Sequence, residues 1–320
     1  MLAGCGGSQP PIGAPGAMPE NAARSAILPP STSLTDKRLS KSNAYTKGSD
    51  LIYASSKNAT YIVTFPEGKI LKQFAVFGPP SLCSNSQGNV FFPGHNVVTE
   101  YAHGGISPIG SLNDSGFSAW GCASDPKTGN FAAANNASLP SYGPGSVAIY
   151  QKGSGDPKFF TDPGITSYFY CTYDGNGNLF VVGDSQSTPF ALAELPYGSQ
   201  TFINISVNKA VPSFGEIHWD GHYLALAADL TRVIYRLSVS GSKATVIGTT
   251  TLRRIEQPRR SFALQDNTVV TPTAHNDRRL GFWNYPSGKL LKMVGPFFHR
   301  GNFLGAVTIS AGSGKSLTPK

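Results

Sequence analysis

The sequence VVTEYAHG (97–104) shows the pattern that decides the fold, an apolar strand that ends in an aromatic residue and a Gly. Five further copies occur: YIVTFPEG (61–68), VAIYQKG (147–153), ALAELPYG (191–198), VIYRLSVSG (233–241) and LGFWNYPSG (280–288). Repetition with a period of about 40 to 45 residues is typical of the four-stranded blades of a β-propeller. We therefore predict an all-β fold, a six-bladed β-propeller.

The other strands of each unit align around these copies. The first strands are predicted at 81–83, 120–123, 169–172, 216–219, 262–265 and 304–308, and a fourth strand is predicted at 107–112. Aspartates in the turns after the first strands are expected to cap hairpins: Asp125, Asp174, Asp220 and Asp266. The repeats begin at a second strand, 51–54, and end on a lone first strand, 304–308. We therefore predict that these two segments pair and close the ring, which removes exposed sheet edges.

The phrases GCASDPKTGNFA (121–132) and DGNGNLFVV (174–182) resemble bacterial six-bladed propellers of the NHL-like and senescence-marker/gluconolactonase-like group, especially exported lipoproteins. The resemblance covers about 47–311 and implies the fold rather than one activity. Lactonase-type members hold a divalent cation at the channel mouth through an acidic residue plus Asn and Asp on inner strands. Here Glu216 is the one acidic residue on an inner strand ahead of its turn, so we predict no catalytic residue, metal or cofactor.

The first residues indicate where in the cell the protein is located. Leu2 to Cys5 read LAGC, which resembles a bacterial lipobox, and a Pro-, Gly-, Ala- and Ser-rich stretch follows. We predict lipidation at Cys5, a disordered tether within 1–46, a propeller at 47–311 and a disordered tail at 312–320. A signal peptide would precede such a box, so the native reading frame is expected to extend upstream. The expected location is the bacterial envelope, with the outer membrane favoured by Gly6; the alternative is a cytosolic protein with a disordered start.

Composition agrees with many short strands and tight turns. Charged residues make up 14% of the chain, with 36 Gly and 24 Pro, and the formal net charge is +8. This charge favours anionic partners. No stacking series of aromatic residues accompanies the basic ones, so nucleic acid is not expected. We expect a monomer that meets the membrane only through the lipid on Cys5.

Seven of the eleven arginines lie between residues 253 and 300. The predicted binding residues on the loops of one face are these arginines and two histidines: Arg253, Arg254, Arg259, Arg260, His275, Arg278, Arg279, His299 and Arg300. Guanidinium groups on one sector suit carboxylate, phosphate or sulfate recognition. The alternative is a solvated basic rim without a partner.

Three cysteines and a pair of histidines are further candidates for disulfide formation or metal binding. Cys83, Cys122 and Cys171 fall at one repeat position on three inner strands, where neighbouring copies are expected to lie beyond the Cα–Cα limit of about 7 Å for a disulfide. We predict all three to be reduced and buried. His218 and His222 have the spacing of a zinc-binding helix, but the intervening Asp-Gly turn favours a structural role.

The function predicted from these observations is a non-enzymatic, lipid-anchored propeller of the cell envelope. Its loop face would bind an envelope glycan, peptide or protein, with anionic partners favoured. Two alternatives stay open at this point. One is a metal-dependent hydrolase of the lactonase or lyase type at the channel mouth, and the other is a structural scaffold.

Overall fold

The computed structural model describes residues 48–76, 78–185, 187–213, 215–228, 231–255, 260–273, 278–297 and 304–312. This part of the chain is all-β, with 24 strands, one short 3-10 turn at Gln151–Gly153 and no α-helix within the ranges given. The described residues therefore include no helix long and apolar enough to cross a membrane. Cys5, Arg259, His275, His299 and Arg300 lie outside these ranges.

The strands are, in chain order, β1 (Leu51–Ser56), β2 (Thr60–Thr64), β3 (Ile70–Phe74), β4 (Cys83–Ser84), β5 (Val90–Pro93), β6 (His95–Tyr101), β7 (Pro108–Ser124), β8 (Phe131–Ser138), β9 (Ser146–Tyr150), β10 (Lys158–Phe160), β11 (Ser167–Tyr173), β12 (Leu179–Asp184), β13 (Ala191–Leu195), β14 (Ile203–Asn204), β15 (Ser206–Val207), β16 (Ile217–Trp219), β17 (Leu224–Ala227), β18 (Val233–Ser240), β19 (Lys243–Thr251), β20 (Ala263–Gln265), β21 (Thr268–Pro272), β22 (Leu280–Asn284), β23 (Leu290–Val294) and β24 (Leu304–Ser310).

The sheets have a propeller-like arrangement. Three are four-stranded, with the orders β24-β1-β2-β3, β11-β12-β13-β14 and β20-β21-β22-β23. A fourth, β15-β19-β18-β17-β16, carries β15 as an additional parallel strand beside β19. The fifth sheet runs β10-β9-β8-β7-β6-β5-β4 and has seven strands. Two predicted strands, 107–112 and 120–123, are fused in the long β7, which pairs with β6 in its first part and with β8 in its second.

The first and last described strands share one sheet. β24 pairs antiparallel with β1, with Leu51 opposite Ser310 and Ala54 opposite Val307. The predicted pairing of 304–308 with 51–54 is thus present as a hydrogen-bonded ladder. On its other side β1 pairs with β2, so neither edge of β1 is open.

Three of the four predicted aspartate caps are present; at the fourth, Asp266, the hydrogen bond in the turn is accepted by the backbone carbonyl, from the Thr268 hydroxyl (3.4 Å). Asp125 Oδ1 accepts the Lys127 N–H (2.9 Å), and Asp174 Oδ1 accepts the Asn176 N–H (2.8 Å). In the next repeat Asp220 Oδ1 accepts backbone N–H groups at 2.9 and 2.7 Å. These carboxylates therefore organise hairpins.

The core lies between successive repeats. Six clusters of buried side chains are present in the described ranges, and each draws residues from two neighbouring repeats. One of them joins Ile52 and Val307 of the first sheet to Phe282 of the last, and all three are at most 1% exposed. Burial on both faces explains why β1 is buried along its whole length and begins with four apolar residues instead of alternating apolar and polar ones.

Candidate functional site

The structure describes five of the nine residues that were predicted to bind a partner. Arg253 and Arg254 are exposed and follow β19, Arg260 is half-buried ahead of β20, and the half-buried Arg278 and exposed Arg279 precede β22. The structure thus places them on the two connections the sequence indicated. Whether their guanidinium groups converge on one ligand stays a prediction.

Backbone contacts fix the segment at Arg253. Its N–H donates to the Gly288 carbonyl (3.1 Å), and its carbonyl accepts the indole N–H of the buried Trp283 (2.8 Å). These contacts hold Arg253 against the turn between β22 and β23 of the next sheet. Arg254 follows with a φ of 60°, an unusual conformation for a residue other than Gly.

The segment at Arg278 and Arg279 is fixed in a similar way. The Thr273 N–H donates to the Arg279 carbonyl (2.9 Å), and the Arg279 N–H donates to Thr273 Oγ1 (3.0 Å). The Phe297 N–H donates to the Arg278 carbonyl (3.0 Å), and Arg278 has a φ of 51°. The backbone at both arginine pairs is therefore held in a fixed conformation while Arg253, Arg254 and Arg279 reach solvent.

The cysteine prediction was wrong for two of the three residues. Cys83 and Cys122 form a disulfide with a Cα–Cα distance of 5.7 Å, and Cys171 is free and buried. β4 and β7 lie beside each other at the centre of the molecule, so the same repeat position in two neighbouring units falls within disulfide range. Burial raises the pKa of the Cys171 thiol, which keeps it protonated.

A cavity of about 160 Å³ lies among the inner strands, and we call it the axial cavity. Its wall includes residues of β4, β7, β11, β16, β20 and β24 and of the turns that follow three of these strands: Ser86, Pro126 and Gly175. The disulfide forms part of the wall, and Cys171 lines it as well. The axial cavity thus extends towards the capped turns, the opposite end of the inner strands from the arginine-bearing connections.

Glu216 lies at the inner end of the axial cavity and is 4% exposed. Ser81 Oγ donates to Glu216 Oε1 (2.6 Å), and the Phe262 N–H donates to Oε2 (2.8 Å). Burial raises the pKa of this carboxyl to about 7, although hydrogen bonds from Ser261, Ser81 and Phe262 oppose the rise. One side chain thus joins the segments that lead into β4, β16 and β20. The sequence alone pointed to Glu216 as the one acidic residue on an inner strand ahead of its turn. It gave no sign that Ser81, which is 135 residues away along the chain, would bind it.

His218 also lines the axial cavity, with 28% of its side chain exposed. Its Nε2 lies 2.6 Å from the Phe262 carbonyl, and burial lowers its pKa to about 4, so this ring is neutral and Nε2 carries the donated proton. His222 is exposed in the turn and lies beside Tyr223. No group of three or more His, Cys, Asp or Glu side chains with metal-binding geometry occurs in the described ranges.

Comparisons with known proteins identify the fold. No family model and no curated protein matches the chain. Solved structures do match. A chain of the nidogen/laminin complex aligns with a TM-score of 0.64 and 12% identity over 82% of this chain and 99% of that one. A protein of unknown function from Bacteroides caccae gives a TM-score of 0.58 at 12% identity, over 82% of this chain and 99% of that one.

A third match is the β-propeller domain of Swd1 from Myceliophteria thermophila. Its TM-score is 0.51 at 13% identity, over 78% of this chain and 87% of that domain. Identities this low establish the fold alone, so the protein is a β-propeller.

Proposed function

We propose that the propeller has six blades and forms a closed ring. The long β7 would serve as the outer strand of one blade and the inner strand of the next, so the seven-stranded sheet counts as two blades. The pairing of β24 with β1 and the buried cluster that joins the first sheet to the last support closure. A closed ring, in which only the short outer strands keep an open edge, is a stable platform on which loops can present a binding surface.

We infer that the protein binds a partner and does not catalyse a reaction. The observation that carries this inference is the state of Glu216, the inner-strand acid that a lactonase-like centre would need. Both of its oxygens accept short hydrogen bonds from the protein, and burial favours its neutral form. A carboxyl group held in this way is poorly suited to bind a divalent cation, because a carboxyl ligand must be ionised and must turn an oxygen towards the metal.

The proposed binding face carries the connections after β19 and before β22. Arg253, Arg254 and Arg279 are exposed there on backbone fixed by hydrogen bonds, which suits charge-assisted contacts with carboxylate, phosphate or sulfate groups. The partner would be an anionic glycan, peptide or protein of the envelope. The match to a propeller seen in a nidogen/laminin complex supports a protein-binding role for this architecture.

We propose that the protein is located in the bacterial envelope and is anchored there by a lipid on Cys5. Support from the fold comes from the Cys83–Cys122 disulfide, because such bonds persist in oxidising compartments and are rare in the cytosol. Expression of an upstream-extended reading frame with a labelled fatty acid tests the anchor. We expect Cys5→Ser to abolish the label, and a label that survives this substitution would contradict the proposal.

Binding to an envelope extract or an acidic polysaccharide tests the function. The variant Arg253→Gln/Arg254→Gln/Arg279→Gln removes three exposed charges from the proposed face. The control Lys69→Gln/Lys209→Gln/Lys243→Gln removes three exposed charges elsewhere and keeps the net charge equal. We expect the arginine variant to lose most of its binding and the control to lose little.

Wild-type binding should also weaken as salt rises, because exposed charges are screened over about 10 Å at 0.1 M salt. Equal losses of binding in the two triple variants would show that only the net charge of the protein matters. This result would contradict a specific binding site at the arginines. Unchanged binding in both would place the binding site elsewhere on the protein, and no binding by wild type would favour the scaffold alternative.

A further inference from the structure

A second buried carboxyl group belongs neither to the axial cavity nor to the arginine-bearing connections. Asp114 lies near the middle of β7 and is fully buried. Asn135 Nδ2, on β8, donates to Asp114 Oδ1 (3.2 Å). The Tyr150 hydroxyl lies beside the carboxyl group, but its proton goes to the Asn113 carbonyl (2.9 Å). Asp114 Oδ2 is therefore left without a hydrogen-bond partner among the described residues.

Two amide oxygens of β8 lack a donor as well. Asn135 is fully buried, and neither its Oδ1 nor Asn136 Oδ1 has a hydrogen-bond partner in the part of the chain that the structure describes. In the β7–β8 ladder Ser118 lies opposite Ala137, whereas the next residue, Ala119, lies opposite Asn135. Asn136 is thus an extra residue, a β-bulge. A bulge interrupts the alternation of side chains, so two consecutive asparagines can turn their oxygens to the same side.

The carboxyl group also lacks a positive partner. No Lys, Arg or His side chain forms an ion pair with Asp114 within the described ranges. A carboxylate and an amide carbonyl can only accept hydrogen bonds, so these three oxygens cannot satisfy one another. A buried carboxylate beside further unpartnered acceptors is costly unless a positive group lies among them. Carboxylate and Asn oxygens are the ligands that hard cations prefer.

Size and charge indicate which cation fits. All three oxygen atoms are closed to solvent, so the space beside them is narrower than a water molecule. This disfavours water and potassium, an ion of about the same size. One carboxylate neutralises a monovalent ion, whereas a divalent ion would leave a net positive charge buried. A sodium ion is small enough and carries the matching charge.

We propose that Asp114, Asn135 and Asn136 bind one buried sodium ion. Asp114 Oδ2 supplies the negative charge, and the two amide oxygens supply further ligands. The ion lies where β7 passes from its pairing with β6 to its pairing with β8, so it stabilises the junction of these strands. The sequence had predicted no metal, and one Asp and two Asn on two strands form no recognisable motif. The site does not depend on the proposed partner binding.

Thermal unfolding of the full chain at about pH 8 tests the proposal. Chlorides of sodium, potassium, calcium and choline are compared at equal ionic strength, so that general screening is the same in each. A ligand that binds only the folded state stabilises it, so sodium at about 0.1 M should raise the melting temperature by about 2 °C or more over choline. Equal melting temperatures in sodium and choline, or an equal rise with potassium or calcium, would overturn the proposal.

A lower pH should weaken the effect of sodium. Burial raises the pKa of Asp114 to about 6. At about pH 5 a proton therefore competes with the ion, whereas at about pH 8 the carboxyl group is ionised and free to bind it. The difference in melting temperature between sodium and choline should shrink by at least about half from pH 8 to pH 5. A difference that does not change with pH would contradict binding at this carboxylate.

Two nearly isosteric variants locate the ion. Asp114→Asn removes the negative charge, and Asn136→Leu removes one oxygen ligand. The rise caused by sodium should disappear in the first variant and fall by at least about half in the second. The control Asp156→Asn removes an exposed carboxylate and should keep the full rise. A rise of wild-type size in both folded site variants would overturn the proposal. If one variant fails to fold, the other decides.

Discussion

Replacing Glu216 with Gln should change how the stability of the protein depends on pH. The buried carboxyl has its pKa raised from 4.5 to about 7. Because the folded-state pKa is the higher one, the folded protein keeps the proton over this range while the unfolded chain releases it. The stabilisation linked to the proton is therefore full below about pH 4.5 and is lost as the pH rises towards 7.

The expected change in unfolding free energy follows from the size of the pKa shift. A pKa difference of this size corresponds to about 3 kcal/mol of unfolding free energy, since one pKa unit equals about 1.4 kcal/mol. Gln keeps the shape of Glu and an acceptor for the Phe262 N–H but does not titrate. The stability of wild type relative to Glu216→Gln should therefore fall by about 2 to 3 kcal/mol between about pH 5 and about pH 8.

Urea unfolding of both proteins at several pH values measures this difference. The pKa of His218 is lowered by burial, so its contribution to stability changes in the opposite direction below pH 6.5. It is present in both proteins and cancels in the comparison, apart from its coupling to Glu216 across 4.0 Å. Glu67→Gln, at an exposed position, is the matched control. A difference between wild type and Glu216→Gln that does not change with pH would refute the reasoning.

Two other perturbations test the packing between repeats. Cys83→Ser opens a disulfide that spans 39 residues, and the chain-entropy model gives a loss of about 4 kcal/mol for such a loop; urea unfolding of the oxidised proteins should show it, and equal stability would contradict the bond. Gly288→Ala would place a methyl group 2.0 Å from the Thr251 carbonyl, whereas Gly198, with a similar positive φ, has nothing within 4 Å of that position. Gly288→Ala should therefore be less stable than Gly198→Ala by about 1 to 3 kcal/mol; equal melting temperatures would show that the two sheets do not meet there.

Local signals made much of the architecture predictable. Apolar strands followed by Gly recur every 36 to 49 residues, and Asp125 and Asp174 stand where hairpins need a cap. The pairing of the terminal strands followed from counting the strands of each unit. No such signal marks β7, where an outer and an inner strand join into one 17-residue strand. The strand can continue because β6 pairs with its first part and β8 pairs with its second part.

The candidate sites were harder to predict, because they depend on distances between repeats. Cys83 and Cys122 share a repeat position, and only the close approach of two inner strands brings them within bonding distance. Glu216 was noticed as an acid on an inner strand, but its raised pKa depends on burial among the assembled repeats, and its partners Ser81 and Phe262 belong to other repeats. The axial cavity exists only once the inner strands are assembled.

Cross-linking of the terminal strands tests most directly that the chain forms one closed propeller. Ala54 and Val307 are opposite each other in the β1–β24 ladder, and directly opposed residues of an antiparallel pair have Cα atoms about 4.5 to 5.5 Å apart, within the Cα range of about 4.4 to 6.8 Å for a disulfide. In a Cys171→Ser background, Ala54→Cys/Val307→Cys should form a disulfide on mild oxidation. After proteolytic cleavage in a loop outside residues 83–122, which the native disulfide links, and denaturation without reductant, the terminal fragments should stay joined until reduced, and the single-cysteine controls should separate. Fragments of the double variant that separate without reduction would show that the ring is not closed by these strands.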